Sequence, residues 1–65
     1  MATMKEPNER QQAFVDYYVE TMNAAEAARR AGYSAKNARK IGSDLLKRDY
    51  IQEAIKEQLE EIMVY

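Results

Sequence analysis

The sequence predicts an all-α domain, a small bundle of four helices, from two kinds of pattern. Apolar residues recur at intervals of three and four along most of the chain, which is the spacing that places side chains on one face of a helix. Residue pairs typical of a capping box, in which two side chains three residues apart each satisfy a backbone amide, precede three of these runs. The pairs are Asn8 with Gln11, Asn23 with Glu26, and Asp49 with Gln52. The predicted helices are residues 9–22, 24–31, 35–47 and 50–63.

Residues 1–8 carry no periodicity and contain the only proline of the chain, so we expect a flexible N-terminal tail. Helix one follows, and its predicted buried face consists of Phe14, Val15, Tyr18 and Met22. Aromatic residues at helical spacing are far more often core than ligand-binding residues, and we assign Phe14 and Tyr18 to the core. For Tyr17 and Tyr33, a contact between the hydroxyl group and a phosphate stays open.

Helix two is short and rich in alanine, and its ends follow from residues with known roles there. Asn23 is a preferred N-cap, and Gly32 is able to adopt the left-handed conformation that ends a helix. Ser34 is a preferred N-cap for helix three, so that about three residues join the two helices. A short turn that contains glycine holds two helices at a steep angle, as in the helix-turn-helix motif that offers its second helix to the major groove of DNA.

Helix three has two distinct faces on a helical wheel. One arc is apolar and predicted to be buried: Ala35, Ala38, Ile41, Gly42, Leu45 and Leu46. Gly42 on this arc predicts the close approach of another helix, since glycine inside a helix costs about 1 kcal/mol relative to alanine. The opposite arc carries Lys36, Lys40, Ser43 and Lys47, with Arg39 on one flank and Asn37 and Asp44 on the other. These side chains suit phosphate contacts and the reading of base edges, and the alternative is a solvated lysine face.

The net charge of −1 conceals a strong segregation of charge along the chain. Residues 29–48 contain seven basic residues and one acidic residue, a net charge of +6, while the other 45 residues contain three basic and ten acidic residues. A cluster of cations attracts phosphate even on an acidic chain, and such binding weakens steeply with salt. The charge pattern therefore favours a nucleic-acid partner.

Helix four is predicted to have one apolar face, made of Ile51, Ile55, Leu59 and Ile62, and one acidic face, made of Glu53, Glu57 and Glu60. The acidic face is interpreted as solvated. The helix extends beyond what a small three-helix core covers, and the apolar residues 62–65 follow. Exposed apolar residues there suit a domain of a longer protein or an oligomerisation stalk, and fraying in solvent is the alternative.

Length and composition exclude several classes of function. A chain of 65 residues forms at most one domain of marginal stability, with little room for an elaborate active site. It contains no cysteine and no histidine, which excludes thiol chemistry, disulfides and the usual zinc ligand sets. We predict no enzyme activity, no cofactor and no metal. Because no apolar run is long enough to span a membrane and no signal peptide is recognisable, we expect a soluble intracellular protein without a membrane partner.

Three stretches of the sequence together carry a resemblance to a known family. They are ERQQAFVDYYVET at residues 9–21, NAAEAARRAGYS at 23–34 and IGSDLLKRDYIQEAI at 41–55. In this order they resemble the N-terminal domain of the small terminase subunit of tailed double-stranded DNA bacteriophages, and AGYS after a short alanine-rich helix is the most specific part. The resemblance implies a protein of the host cytoplasm that is not an enzyme. It would recognise the packaging site on viral DNA and deliver it to the large terminase subunit, which carries the ATPase and nuclease.

Members of that family are generally longer, with a central region that assembles a homo-oligomeric ring and a C-terminal part that contacts the large subunit. The resemblance therefore implies that residues 9–65 are a helix-turn-helix DNA-binding domain of a longer protein, and we expect this fragment to be a monomer. Its recognition helix corresponds to residues 34–47, with Asn37 as the candidate base reader. The candidate DNA contacts are Ser34, Lys36, Asn37, Arg39, Lys40, Ser43 and Lys47, with Arg29, Arg30 and Arg48 as further clamps on the DNA backbone.

Two other functions stay open at this point. A transcription regulator would use the same helix-turn-helix, and residue chemistry does not distinguish it because both functions need the same groove geometry. A helical protein-interaction module is the other alternative, and the basic strip would then be incidental.

Overall fold

The computed structural model describes residues 7–63, and this part of the chain contains four helices. They are α1 (Glu9–Thr21), α2 (Ala24–Arg30), α3 (Ala38–Leu46) and α4 (Asp49–Met63). The predicted all-α bundle of four helices is thereby confirmed. Residues 1–6 of the predicted tail, the side chains of residues 62 and 63, and residues 64 and 65 lie outside the described part. No helix within residues 7–63 is long and apolar enough to cross a membrane.

The core forms where α2 packs against α1 on one side and against α3 on the other, while α4 packs mainly against α1. All four helices contribute buried apolar residues to it: Phe14, Val15, Ala27, Ala28, Ala38, Leu45 and Ile51. A helix as short as α2 is not stable alone, so its small side chains matter because they let both neighbours approach closely. Phe14 stacks on Tyr18 with ring centroids 5.9 Å apart, and both rings pack in or against the core as predicted.

α1 begins with a complete capping box and ends in a left-handed residue. The Oδ1 atom of Asn8 accepts from the Gln11 amide at 2.8 Å, and the Oε1 atom of Gln11 accepts from the Asn8 amide at 3.0 Å. At the other end, Met22 has a φ of 56° and its amide donates to the Tyr18 carbonyl oxygen. The prediction that Met22 lies on the buried face is wrong: it stands beyond the last helical turn, and it is 62% exposed.

The N-terminus of α2 has half of the predicted capping box. The Oδ1 atom of Asn23 accepts from the Glu26 amide at 3.0 Å, as the pattern predicts. The reciprocal bond does not form, because the Asn23 amide donates to the Thr21 hydroxyl oxygen at 3.2 Å. The Glu26 carboxylate instead pairs with arginines one turn further along the helix.

The C-terminus of α2 closes in a Schellman motif centred on Gly32. Gly32 has a φ of +103°, a conformation that side chains other than glycine rarely adopt. Its amide donates to the Arg29 carbonyl oxygen at 3.1 Å, and the Tyr33 amide donates to the Ala28 carbonyl oxygen at 3.0 Å. This pair of bonds is the one that defines the motif, and the predicted role of Gly32 is confirmed.

α3 begins at Ala38, three residues later than predicted, and the late start corrects two further expectations. Residues 35–37 form a turn in which the Asn37 amide donates to the Ser34 carbonyl oxygen and the Ala38 amide donates to that of Ala35. Because these backbone bonds satisfy the first amides, Ser34 is not the N-cap of α3, and Asn37 occupies that position. Ala35 is exposed in the turn and is not part of the buried face. The connection from α2 to α3 is therefore seven residues long, not about three.

At the junction between α3 and α4, the Gln52 side chain makes a hydrogen bond that differs from the one that its spacing predicts. α4 begins at Asp49, so this residue lies inside the first turn and does not precede it. The predicted capping box with Gln52 is absent, because the Nε2 atom of Gln52 donates to the Leu46 carbonyl oxygen at 2.8 Å. The last carbonyl groups of a helix have no helical partner, and this bond satisfies one of them.

Candidate nucleic-acid interface

The surface predicted to contact DNA centres on the exposed side of α3 and the turn before it. Six predicted contact residues are exposed there: Lys36, Asn37, Arg39, Lys40, Ser43 and Lys47. The opposite side of α3 is held in the core by Ala38, Gly42 and Leu45, which fixes the direction in which the exposed side points. None of its four cations forms an ion pair with another residue of the described part of the chain. Their charge is therefore available to a polyanion.

Asn37 stands at the start of α3 with its side chain uncommitted. Its backbone has a φ of −108° and a ψ of 6°, and the side chain makes no capping hydrogen bond. The exposed amide group thus keeps both its donor and its acceptor for an external partner. Ser34, three residues earlier, is also exposed, and its carbonyl oxygen is the acceptor for the Asn37 amide.

Arg29 and Arg30 are exposed at the end of α2, but acidic side chains engage both of them. Each guanidinium contacts one oxygen of the Glu26 carboxylate, and the Nε atom of Arg30 lies 2.9 Å from it. Arg30 also lies 3.6 Å from the Glu20 carboxylate, and its guanidinium carbon is 6.0 Å from the centroid of the Tyr17 ring. Exposed ion pairs of this kind are weak, so both arginines can exchange partners, yet each carries less free charge than the lysines of α3.

A second group of polar side chains gathers around Tyr33, in the connection between α2 and α3. The guanidinium carbon of Arg10, on α1, lies 5.5 Å from the centroid of the Tyr33 ring. Burial raises the pKa of the Tyr33 hydroxyl above its ordinary value, Arg10 and Arg48 oppose the rise, and Tyr50 adds to it. The hydroxyl is consequently protonated at neutral pH and is able to donate a hydrogen bond.

Arg10 is the residue of this group that the sequence pattern did not single out. It belongs to the first turn of α1, where helical spacing marks it only as an exposed polar residue. Its proximity to Tyr33 depends on the packing of α1 against α2, which brings together residues far apart in the sequence. The one available signal was the aromatic side chain directly after the helix-ending Gly32, and that signal identifies Tyr33 without its partner.

An apolar groove of about 600 Å³ lies between α1, α3 and α4, and none of the predicted DNA contacts lines it. Its apolar lining comes from Tyr18, Leu46, Ile55 and Leu59. The polar residues beside it are Gln52, Lys56 and Glu60. A groove of this kind is where a partner helix would bind if the domain were an interaction module.

The fold and the exposed side of α3 define a small all-α protein with one cationic helix surface. Two successive helices, α2 and α3, pack against each other across a turn that contains Gly32, and the second helix presents its cations outward. The chain belongs to the terminase small subunit family, whose model matches residues 8–64. The family resemblance inferred from the sequence is confirmed.

Three relatives illustrate the similarity. The chain is 45% identical over 51 residues to the PBSX phage terminase small subunit of Bacillus subtilis (strain 168), an overlap of 78% of this chain and 19% of that protein. It is 45% identical over 56 residues to the terminase small subunit of Staphylococcus phage 80alpha, covering 85% of this chain and 38% of the relative. With that of Bacillus phage SF6 the identity is 40% over 62 residues, covering 91% and 43%. The chain thus spans less than half the length of these relatives, and no solved structure matches it significantly.

Proposed function

We propose that this domain binds double-stranded DNA through α3 and recognises the packaging site on phage DNA, which the full-length protein presents to the large terminase subunit. The observation that carries the proposal is the exposed side of α3, whose four cations have no ion-pair partner among residues 7–63. Membership of the terminase small subunit family supports the same function.

The residues of α3 and its preceding turn divide by chemistry into two groups. Lys36, Lys40, Lys47 and Ser43 suit phosphate oxygens, and such contacts set affinity and orientation without reading sequence. Arg39 and Asn37 suit base edges, because arginine forms paired hydrogen bonds with guanine and asparagine does so with adenine. Asn37 is the better candidate of the two, because it stands at the N-terminal end of α3 and its side chain makes no capping hydrogen bond.

The flanking residues would hold the DNA backbone on either side of α3. Arg48 follows the C-terminal end of the helix, and Ser34 precedes its first turn. Arg29 and Arg30 contribute only if phosphate displaces the Glu26 carboxylate, because that carboxylate contacts both guanidinium groups in the free protein. We therefore assign them a smaller share of the affinity than the lysines of α3.

Affinity in the full-length protein would come from assembly. One small domain with few phosphate contacts binds DNA weakly, and we expect the 65-residue chain to be a monomer. A homo-oligomeric ring and the contact with the large subunit are proposed for the longer protein, given that this chain covers 19% to 43% of the relatives above. A ring would present several copies of α3 to one DNA molecule and increase the affinity through effective concentration.

A titration with duplex DNA, followed by amide chemical shifts in NMR at low and moderate salt, tests the proposal. We expect the shift changes to concentrate on residues 34–47, to decrease with salt, and to be lost when Arg39 and Lys40 are both replaced by alanine. Lys56→Ala is the control, because it removes an exposed cation from α4, outside the proposed DNA-binding surface.

Two results would contradict the proposal. Unchanged amide shifts across residues 34–47 at low salt would mean that the cationic side of α3 is only solvated. Shift changes confined to the apolar groove, at Ile55 and Leu59, would mean that the duplex contacts the domain away from α3.

A further inference from the structure

Arg10 is a cation outside the helix-turn-helix whose side chain is oriented by an aromatic ring. Its guanidinium carbon lies 5.5 Å from the centroid of the Tyr33 ring, within the range of a cation–π contact. The Nε atom of Arg10 is also near the backbone of Gly32, since a Cβ atom placed on that glycine would lie 3.8 Å away. The residue is exposed, and no carboxylate of the described residues forms an ion pair with it. Arg10 therefore combines a free charge with a defined position.

Arg10 and Tyr33 also line one polar groove, together with Asn8 and Glu9. Two separate parts of the fold thus meet at this ring: the first turn of α1 and the connection between α2 and α3. The positive charges of Arg10 and Arg48 both favour the ionised form of the Tyr33 hydroxyl, although burial outweighs them and raises its pKa.

The ring also links this group to the start of α3. Ser34 follows Tyr33 directly, and its carbonyl oxygen accepts the hydrogen bond from the Asn37 amide in the turn that leads into α3. The group therefore lies next to the N-terminal end of the DNA-binding surface assigned to α3. A phosphate oxygen at this point would find the Arg10 guanidinium group and the Tyr33 hydroxyl, and proteins use donors of both kinds for the DNA backbone.

We propose that Arg10 and Tyr33 form a second phosphate-binding site for the backbone of duplex DNA, with Arg10 as its cation. The proposal rests on the proposed function, because it extends the DNA-binding surface from α3 to α1. The competing account is purely structural: Arg10 would brace α1 against the connection between α2 and α3 and touch no ligand. The two accounts differ in the salt dependence of DNA binding, which only a phosphate contact changes.

The test measures the affinity for a mixed-sequence DNA duplex by fluorescence anisotropy over a series of salt concentrations. Each phosphate contact contributes about 0.9 to the slope of log K against log salt for B-form DNA. We expect Arg10→Gln to reduce the magnitude of that slope by about 0.9, the value of one contact, and Arg10→Lys to retain the slope of the unmodified protein. Tyr33→Phe should weaken binding without changing the slope. Lys40→Ala serves as the positive reference on α3, and Lys56→Ala serves as the negative control on α4.

A measurement on the unmodified protein accompanies the variants, so that a folding defect in one of them does not decide the result. The Nε–H resonance of Arg10 should shift when the duplex is added and return as salt is raised. An unshifted Arg10 resonance, or an unchanged slope in Arg10→Gln, overturns this inference alone when Lys40→Ala still lowers the slope. Absence of any DNA binding by the unmodified protein overturns the proposed function together with this inference.

Discussion

Gly42 of α3 lies so close to Ala24 of α2 that there is no room for a side chain at position 42. A Cβ atom built on Gly42 would lie 2.6 Å from the carbonyl oxygen of Ala24 and 2.8 Å from its carbonyl carbon. The contact brings the backbones of α2 and α3 close together at this point. It also confirms the close approach that a glycine on the buried arc of α3 predicts.

We expect Gly42→Ala to destabilise the domain by about 1 to 3 kcal/mol, because the new methyl group meets backbone that has no room to move. The sign is opposite to the usual effect, since alanine inside a helix is normally more favourable than glycine by about 1 kcal/mol. Unfolding in urea, followed by circular dichroism, measures the difference. Ser43→Ala, at the exposed neighbouring position, is the control and should change stability little. A Gly42→Ala variant that is more stable than the unmodified chain would show that the two helices separate easily.

Asn23 and Asn37 both occupy N-cap positions, and we expect opposite results from replacing them with alanine. Asn23 accepts the Glu26 amide, so its removal should cost about 0.5 to 2 kcal/mol of the free energy of unfolding. Asn37 makes no capping bond, so Asn37→Ala should leave stability nearly unchanged while weakening DNA binding if the side chain reads a base. Thermal unfolding and anisotropy on the same samples separate the two effects. Equal losses of stability in both variants would mean that Asn37 caps α3 in solution.

Glu26→Gln should increase the affinity for DNA a few-fold. The Glu26 carboxylate pairs with both Arg29 and Arg30, and replacing it with a neutral amide releases two guanidinium groups for phosphate. Glu57→Gln is the matched control, because it makes the same change of charge at an exposed position of α4 that has no ion pair with a described residue. Anisotropy at one low salt concentration is sufficient. If both variants gain affinity equally, net charge is responsible and the arginines are not.

The raised pKa of Tyr33 predicts how stability changes at alkaline pH. A raised pKa favours the protonated hydroxyl in the folded state, so its contribution is present below the unfolded pKa of about 10. That contribution is lost as the pH rises through the folded-state pKa. Arg10→Gln should raise the pKa of Tyr33 further, because it removes a cation that favours the ionised form. Ring carbon shifts against pH give this value directly, and a lower pKa of Tyr33 in the variant would contradict the contact between the two side chains.

Local interactions account for most of what was predictable in this fold. Asn8, Asn23 and Gly32 act on backbone groups no more than four residues away, so their sequence context is sufficient to specify them. The buried side of α3 follows from helical spacing in the same way, and its exposed side followed as the complement. These features place the candidate DNA contacts of α3 on one surface without any knowledge of the other helices.

Two of the incorrect predictions concern groups that had more than one available partner, and a third concerns the end of a helix. Ser34 is a good N-cap by residue type, but a backbone turn at residues 35–37 satisfies the amides that it would have capped. Gln52 has the spacing of a capping box, but the end of α3 offers it a carbonyl oxygen that needs a donor. Met22 has the spacing of a core residue, but α1 ends before it.

The sequence by itself determined the four helices, the two sides of α3, the concentration of positive charge in residues 29–48 and the family, because each depends on residue type and short-range spacing. Only the tertiary structure decided which cations are free. It brought Glu20 of α1 to Arg30 of α2, and it left the lysines of α3 without ion-pair partners among the described residues. It also brought Arg10 to Tyr33. The reason is that such contacts depend on how helices distant in sequence pack against one another. The spacing of neighbouring residues along the chain does not specify that packing.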